Sequence, residues 1–390
     1  MTLLARSRTN NPIAKLALVN WKLIALVVIL CVVGITVLYS AGRTPCASPP
    51  CPFGGWQPWA VPQLSRMILG FAILFFTAMM TLKFWVSSAY WIYGLSIALL
   101  VGVMLFGRVG MGAQRWLNIG FMQFQPSELM KIALVLALSK YFSGLSINEI
   151  RSNRMLLIPT AMVGLPVLLV AAQPDLGTAI QLMLIAGTIF FIAGVQKWKF
   201  GAVIAVCLIA APLAYKYALH DYQRARVNVF LDPESDVMGA GYHITQSKIT
   251  IGSGGVWGKG FLEGTQSQLA FLPEKHTDFI FTMFAEQFGL VGCLLLFALI
   301  ISIIWQCNAI AFKSRNNFGR ILAIGIGANF FIYFFINTAM VMGLIPVVGV
   351  PSPLMSYGGT AVLTVLFGFG LAQSAQVHGD TILSSRSSYL

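Results

Sequence analysis

The chain alternates long apolar runs with short polar stretches, and the runs set its architecture. About 20 mostly apolar residues suffice to cross a bilayer as a helix. Such runs fall near 21–41, 64–82, 88–106, 127–142, 155–172, 176–194, 200–218, 279–305, 319–342 and 355–376. They predict an all-α polytopic membrane protein with ten transmembrane helices and both termini on one side. The apolar core of the first run, Leu23 to Leu38, is long for a signal peptide, so an uncleaved helix is expected despite Ser40, Ala41 and Gly42. One long polar segment, about 217–278, forms a loop between the seventh and eighth helices. No internal repeat or low-complexity tract is evident, and residues 1–390 read as a single integral-membrane domain.

Composition agrees with that pattern. Charged residues make up 9% of the chain and hydrophobic residues 57%, where a soluble protein carries about a quarter charged. A cytosolic enzyme, a disordered chain and a nucleic-acid partner are excluded. The net charge of +13 sits mostly between apolar runs. With the N-terminus inside, Arg6, Arg8, Lys15, Lys22, Lys83, Lys140, Arg151, Arg154, Lys197, Lys199, Lys313, Arg315, Arg320 and Arg386 fall on the inner side. The short outer segments and helix ends hold only Arg43, Arg66, Arg108, Arg115 and Lys131. Basic residues favour the cytoplasmic side, so N-in and C-in is predicted.

The acids run the other way. Of twelve, only Glu149 and Asp380 fall inside, and the rest, from Glu128 to Glu286, lie on or near the outer face. That asymmetry either places the chemistry outside or reflects acids avoiding a basic inner surface. Four of the six cysteines (Cys31, Cys207, Cys293, Cys307) lie within apolar runs, which argues against a disulfide framework or metal site. Cys46 and Cys51 lie in the first outer loop, where an oxidising compartment allows them to pair; free thiols are the alternative.

Four clusters of ionisable groups stand out, because such groups near a membrane are costly. The first joins Gln114-Arg115-Trp116-Leu117-Asn118 to Pro126-Ser127-Glu128-Leu129-Met130-Lys131. Ser127 reads as a helix N-cap, and Glu128 and Lys131, three apart, share a face. In the second, Gln173-Pro174-Asp175-Leu176-Gly177-Thr178 breaks the chain between two spans, at a depth similar to Lys131. A structural Lys131–Asp175 ion pair follows from that common depth. The third, from Ile249 to Gly260 and including Lys259, is glycine-rich but not a P-loop, since Gly260 follows the lysine. Its backbone N–H groups either cradle a phosphate or form plain turns. The fourth runs from Phe271 through Pro273, Lys275, His276 and Asp278 to Phe281, with Glu286 deeper in the same helix. Taken alone, Asp278 reads as a helix cap.

In order and spacing, QRWLNIG, FQPSELMK, QPDLGTA, GGVWGKG, FLPEKHTDFIF and GLIPVVGVPSPLMSYGGT resemble the SEDS family (shape, elongation, division and sporulation) over about residues 21–376. Within it, the members that serve cell elongation are more similar than those that serve division. The departures are Ser352, Met355 and the extended Cys-containing first outer loop.

The resemblance implies a peptidoglycan glycosyltransferase that polymerises lipid II at the outer face of the cytoplasmic (inner) membrane. It implies Asp278 as the catalytic residue, and Arg115, Glu128, Lys131 and Asp175 as residues needed for activity. An acceptor sugar hydroxyl attacking a lipid-linked pyrophosphate donor needs a base, assigned to Asp278. It also needs positive charge at the leaving pyrophosphate, assigned to Arg115 with Lys259 and Lys275 as further candidates. Glu286 and Trp116 complete the candidate site. A divalent cation, Mg or Mn, is compatible with that chemistry and not specified. The partners implied are a class B penicillin-binding protein transpeptidase and the elongation machinery. A lipid-linked sugar flippase or a non-catalytic scaffold for the transpeptidase are the alternatives.

Overall fold

In lipid a helix satisfies its own backbone polar groups, so a sufficiently long apolar run becomes one. In the computed structural model, which describes residues 12–43, 54–110, 113–119, 122–217, 221–232, 240–268 and 276–381, all ten runs are helical. The short α1 (Pro12–Leu18) leads into α2 (Trp21–Gly42), α3 (Ala60–Met79), α4 (Leu82–Phe106) and α5 (Pro126–Ser143). After them come α6 (Ile147–Arg151), α7 (Asn153–Ala172), α8 (Leu176–Ala193) and α9 (Lys197–Tyr217). The segment read as a loop holds α10 (Asp221–Leu231), α11 (Ala240–Ser253) and α12 (Thr265–Gln268). The chain closes with α13 (Ile280–Lys313), α14 (Asn317–Val341) and α15 (Gly359–Val377).

Among the described residues, nine helices are long and apolar enough to cross a membrane. The predicted fourth span, α5, is not one of them, because it carries Glu128, Lys131 and Lys140. It is nevertheless central. Positions 130–140 are buried without a break, against α4, α7, α8, α14 and α15. A helix walled in by protein tolerates charges that lipid would not. At the other extreme, α9 is apolar and touches its neighbours only near its ends, at Lys199, Phe200 and Tyr215, with residues 201–213 exposed throughout.

Both ends of the bundle's chain meet at one face. The Asn20 N–H donates to Gln373 Oε1 (2.9 Å), Gln373 Nε2 donates to the Asn20 carbonyl (2.9 Å), and Ser374 Oγ donates to the Met80 carbonyl (2.8 Å).

At three places the structure adds to or corrects the local expectations. The linker between α4 and α5 is not helical but a small antiparallel meander, β1 (Arg108–Gly110), β2 (Ala113–Ile119) and β3 (Met122–Phe124). The all-α expectation holds for the membrane part and fails there. Ser127 is not the N-cap of α5: Gln125 occupies that position and Pro126 follows it, where a missing N–H costs nothing. The glycine-rich third cluster begins as the end of α11 and continues as turns seated on α13. Helix α13 breaks at Gly289, whose φ of 62° few residues other than glycine adopt. The break strands backbone groups, and the turns satisfy them. Lys259 N–H donates to the Glu286 carbonyl (3.0 Å) and Gly260 N–H to that of Gln287 (3.1 Å). In return, Leu290 and Val291 N–H donate to the carbonyls of Gly255 (3.0 Å) and Val256 (3.1 Å). These N–H groups are therefore engaged by protein rather than shaped as a phosphate cradle.

Candidate active site

The N-terminal ends of α5, α8 and α13 and the C-terminal end of α14 lie at one end of the bundle, opposite Asn20 and Gln373. Most of the predicted site residues lie at this end, in two groups.

The first group is built on α5. Glu128 and Lys131 are one turn apart and 4% and 1% exposed. A buried ammonium needs its donors filled. Lys131 Nζ donates to Glu128 Oε1 (2.8 Å) and Gln181 Oε1 (3.2 Å), and lies 3.8 Å from the centre of the Tyr333 ring. Tyr333 Oη donates to the same Glu128 oxygen (3.1 Å). The other, Glu128 Oε2, is buried and has no hydrogen-bond partner.

The expected Lys131–Asp175 pair is not formed. Asp175 is instead the N-cap of α8, accepting from the Thr178 N–H (3.2 Å) and Thr178 Oγ1 (2.9 Å). Its ionic partner is Arg115, with Nε 3.8 Å from Asp175 Oδ2. Arg115 Nη2 also donates to the Pro174 carbonyl. Common depth placed Lys131 and Asp175 at one level, but direction around the helix axis decides partners, and Lys131 points at α14 and Gln181. Strand alternation on β2 sends Trp116 to the face opposite Arg115.

The second group is the turn that carries Asp278. Asp278 is not the N-cap of α13: Phe279 holds that position, and the Phe279 side chain makes no capping hydrogen bond. The turn is fixed through its backbone. Asn337 Nδ2 donates to the carbonyls of Asp278 (2.8 Å) and Val350 (2.7 Å). Tyr357 N–H donates to the His276 carbonyl (2.8 Å), and Ser356 Oγ to that of Thr277. The His276 ring stacks on Trp59, with centroids 3.7 Å apart. Gly349, at φ 70°, passes so close that a Cβ there would lie 3.7 Å from Asp278 Oδ2.

Helix α14 joins the groups. Tyr333 and Asn337 are four apart and share a face: one holds Glu128 and Lys131, the other holds the Asp278 turn. The segment around Val348–Val350 adds a second link, passing against Gly177 at the start of α8.

Lys259 and Glu286 form a third, separate arrangement. Glu286 is fully buried, and its Oε1 accepts from Lys259 Nζ (2.8 Å) and the Gln266 N–H (2.9 Å). Lys259 Nζ also donates to Thr265 Oγ1 (2.8 Å). Lys259 thus helps to hold α12 and the turns against α13, while its side chain stays 26% exposed. Lys275, Cys46 and Cys51 lie outside the described residues. Among the described residues no three of His, Cys, Asp and Glu converge, so no ready ligand set for Mg or Mn is assembled there.

Sequence reading missed Asn337, Tyr333, Gln181 and the role of Arg66. The first three are polar groups inside apolar spans, which is itself the signal of function or close pairing. Arg66 Nη2 donates to Tyr357 Oη (2.9 Å), its guanidinium lies over that ring (4.4 Å), and its Nη1 is buried without a hydrogen-bond partner.

The fold and this arrangement define a multi-pass membrane protein that keeps a buried charged cluster and a clamped acidic turn at one end of its bundle. Residues 20–380 match the family model described as cell cycle protein, which covers FtsW, RodA and SpoVE. The chain belongs to this family, the SEDS family that its motifs resemble. It is 46% identical over 326 residues to the peptidoglycan glycosyltransferase MrdB of Escherichia coli K12, covering 83% of this chain and 87% of that one. Among solved structures it is similar to a peptidoglycan synthase complex that coordinates polymerization and crosslinking. There the TM-score is 0.77 at 28% identity, over 92% of this chain and 97% of the other. The rod shape determining protein RodA of Thermus thermophilus matches with TM-score 0.68 at 25% identity, over 93% and 98%.

Proposed function

We propose that this protein is a peptidoglycan glycosyltransferase of cell elongation, polymerising lipid II on the outer face of the cytoplasmic membrane. The observation that carries the reading is the Asp278 turn: a carboxylate one residue before the N-cap of α13, held in place through its backbone. The likeness to MrdB over most of both chains supports the reaction class. Asp278 takes the proton from the acceptor sugar hydroxyl as it attacks the anomeric carbon of the donor. Arg115 meets the developing charge on the leaving pyrophosphate. Arg66, with its unpartnered Nη1, is a second cation for that charge. Glu128, Lys131 and Tyr333 form the rigid wall behind them.

The protein crosses the membrane ten times, α5 included, with both ends in the cytoplasm and Asp278 outside. An even number is supported by the hydrogen bonds that bring Asn20 and Gln373 to one face. It works with a class B penicillin-binding protein and the elongation machinery, a reading supported by the likeness to a synthase complex that couples polymerization to crosslinking. A flippase would present its charges to both faces in turn, whereas these are gathered at one.

Incubating purified protein with labelled lipid II tests the reading; glycan polymer is expected. Asp278→Asn keeps the shape of the turn but cannot take a proton, so the rate should fall about 10²–10⁴-fold. Thermal unfolding in detergent should be unchanged. Robust polymer from this variant would transfer the base to Glu128, whose Oε2 has no partner; Glu286 is already engaged by Lys259 and Gln266.

A further inference from the structure

The end of the bundle opposite Asp278 holds a cavity of about 380 Å³ lined by Arg151, Phe191, Gly194, Val195, Gln196 and Lys197. Helix α8 spans 18 residues between the two ends, about 27 Å at 1.5 Å per residue. The cavity therefore opens at the opposite membrane face. It forms where the end of α6, the turn after α8 and the start of α9 meet. Gly194, at φ 100°, reverses the chain there. Lys199 Nζ reaches across to the Arg151 carbonyl (3.0 Å), tying the start of α9 to α6.

Two cations face this space without a counter-charge. Neither the Arg151 guanidinium nor the Lys197 ammonium has an acidic partner among the described residues. The nearest acid in the chain, Glu149, accepts from the Ser146 N–H and Oγ (both 2.8 Å) as a capping box. On the membrane side Phe191 is 57% exposed, and Trp198, 63% exposed, marks the interface. Beyond them α9 runs unpacked, so lipid must fill the space beside it.

We propose that this cavity binds the headgroup of an anionic phospholipid, its phosphate between Arg151 and Lys197 and its acyl chains along Phe191 and the open flank of α9. Basic pockets between helices at the cytoplasmic surface suit such headgroups. A zwitterionic lipid brings an amine that the two cations repel. The bound lipid links α6 to α9 and fixes the inner end of a spanning helix whose middle, residues 201–213, is exposed throughout. The choice of the inner leaflet rests on the orientation read above.

Native mass spectrometry of the delipidated full chain tests this with phosphatidylglycerol, phosphatidylcholine and inorganic phosphate as probes. One phosphatidylglycerol should be retained in preference to phosphatidylcholine. The Arg151→Gln/Lys197→Gln double variant should lose affinity by about fivefold per charge removed. Lys313→Gln/Arg320→Gln, which removes basic groups elsewhere at the same end, should leave it unchanged. Equal retention by the Arg151/Lys197 variant, or equal binding of phosphatidylcholine, overturns the proposal. Displacement of the lipid by inorganic phosphate at equal concentration overturns it too, in favour of a free-phosphate site. Lipid II polymerisation is read separately on the same samples. Absent lipid adducts with intact polymerisation overturn this site alone, and absent polymerisation with lipid bound overturns the enzymatic reading alone.

Discussion

Two lysine–glutamate pairs, each 2.8 Å long, sit in this protein, and they are built for different work. Lys131 and Glu128 are neighbours on one helix, with side chains 2% and 5% exposed. Their remaining contacts go to two other spans, through Gln181 and Tyr333. Lys259 and Glu286 are 27 residues apart, and only the acid is fully buried, the lysine side chain keeping 26% of its exposure. That pair fastens a loop to a broken helix. A short-range pair inside the membrane cannot tie the chain together, because its helix already does so. What it can do is fix a buried charged cluster at a set depth, joined through Tyr333 and Asn337 of α14 to the Asp278 turn.

The sharpest break of the comparison is Lys131→Ala. It leaves Glu128 as an uncompensated charge among apolar groups, at a cost of about 3–5 kcal/mol. Thermal unfolding in detergent should shift down strongly, with polymerisation lost. The neutral double variant Glu128→Gln/Lys131→Met should recover most of the stability, since a buried pair replaced by matched neutral groups is often no less stable. It should not recover polymerisation. Full recovery of both would mean that the pair is only packing.

Lys259→Ala should cost less. Glu286 keeps the Gln266 N–H, and water can reach the place of a lysine that was part exposed, so about 1–3 kcal/mol is expected. Its mark should be local. Hydrogen exchange should quicken across 255–268, where the turns rest on α13, while the Glu128 cluster stays protected. Uniform quickening through α5 and α14 would show that the two pairs are not independent.

Much of this was legible in advance because a bilayer asks one question of a sequence. Apolar runs of sufficient length located all nine membrane-length apolar helices among the described residues, and α2, α5 and α8 begin and end within a residue or so of the expected bounds. What stayed hidden depends on rotation about a helix axis. Lys131 and Asp175 share a depth, but only the packed bundle decides that Lys131 faces Tyr333 and that Asp175 faces Arg115 and Thr178. The meander was hidden for another reason: β1 and β3 have only three residues each, and the seven of β2, Ala-Gln-Arg-Trp-Leu-Asn-Ile, do not alternate apolar with polar. At 254–260 the visible glycines left a phosphate cradle and plain turns both open, because the break at Gly289 that the turns serve was not visible.

The smallest effect should come from Tyr333→Phe, and it separates the ring from its hydroxyl. The ring contributes the face on which Lys131 Nζ rests at 3.8 Å, and phenylalanine keeps that face. The hydroxyl contributes one hydrogen bond to Glu128 Oε1, worth about 0.5–1.5 kcal/mol net. Glu128 Oε1 would still accept from Lys131, so no new charge is stranded. A slight fall in unfolding temperature is expected, with polymerisation reduced only a fewfold. If the rate instead falls as far as in Asp278→Asn while stability holds, the hydroxyl takes part in proton transfer between Glu128 and the substrate. The local pair would then belong to the chemistry itself and not to the wall behind it.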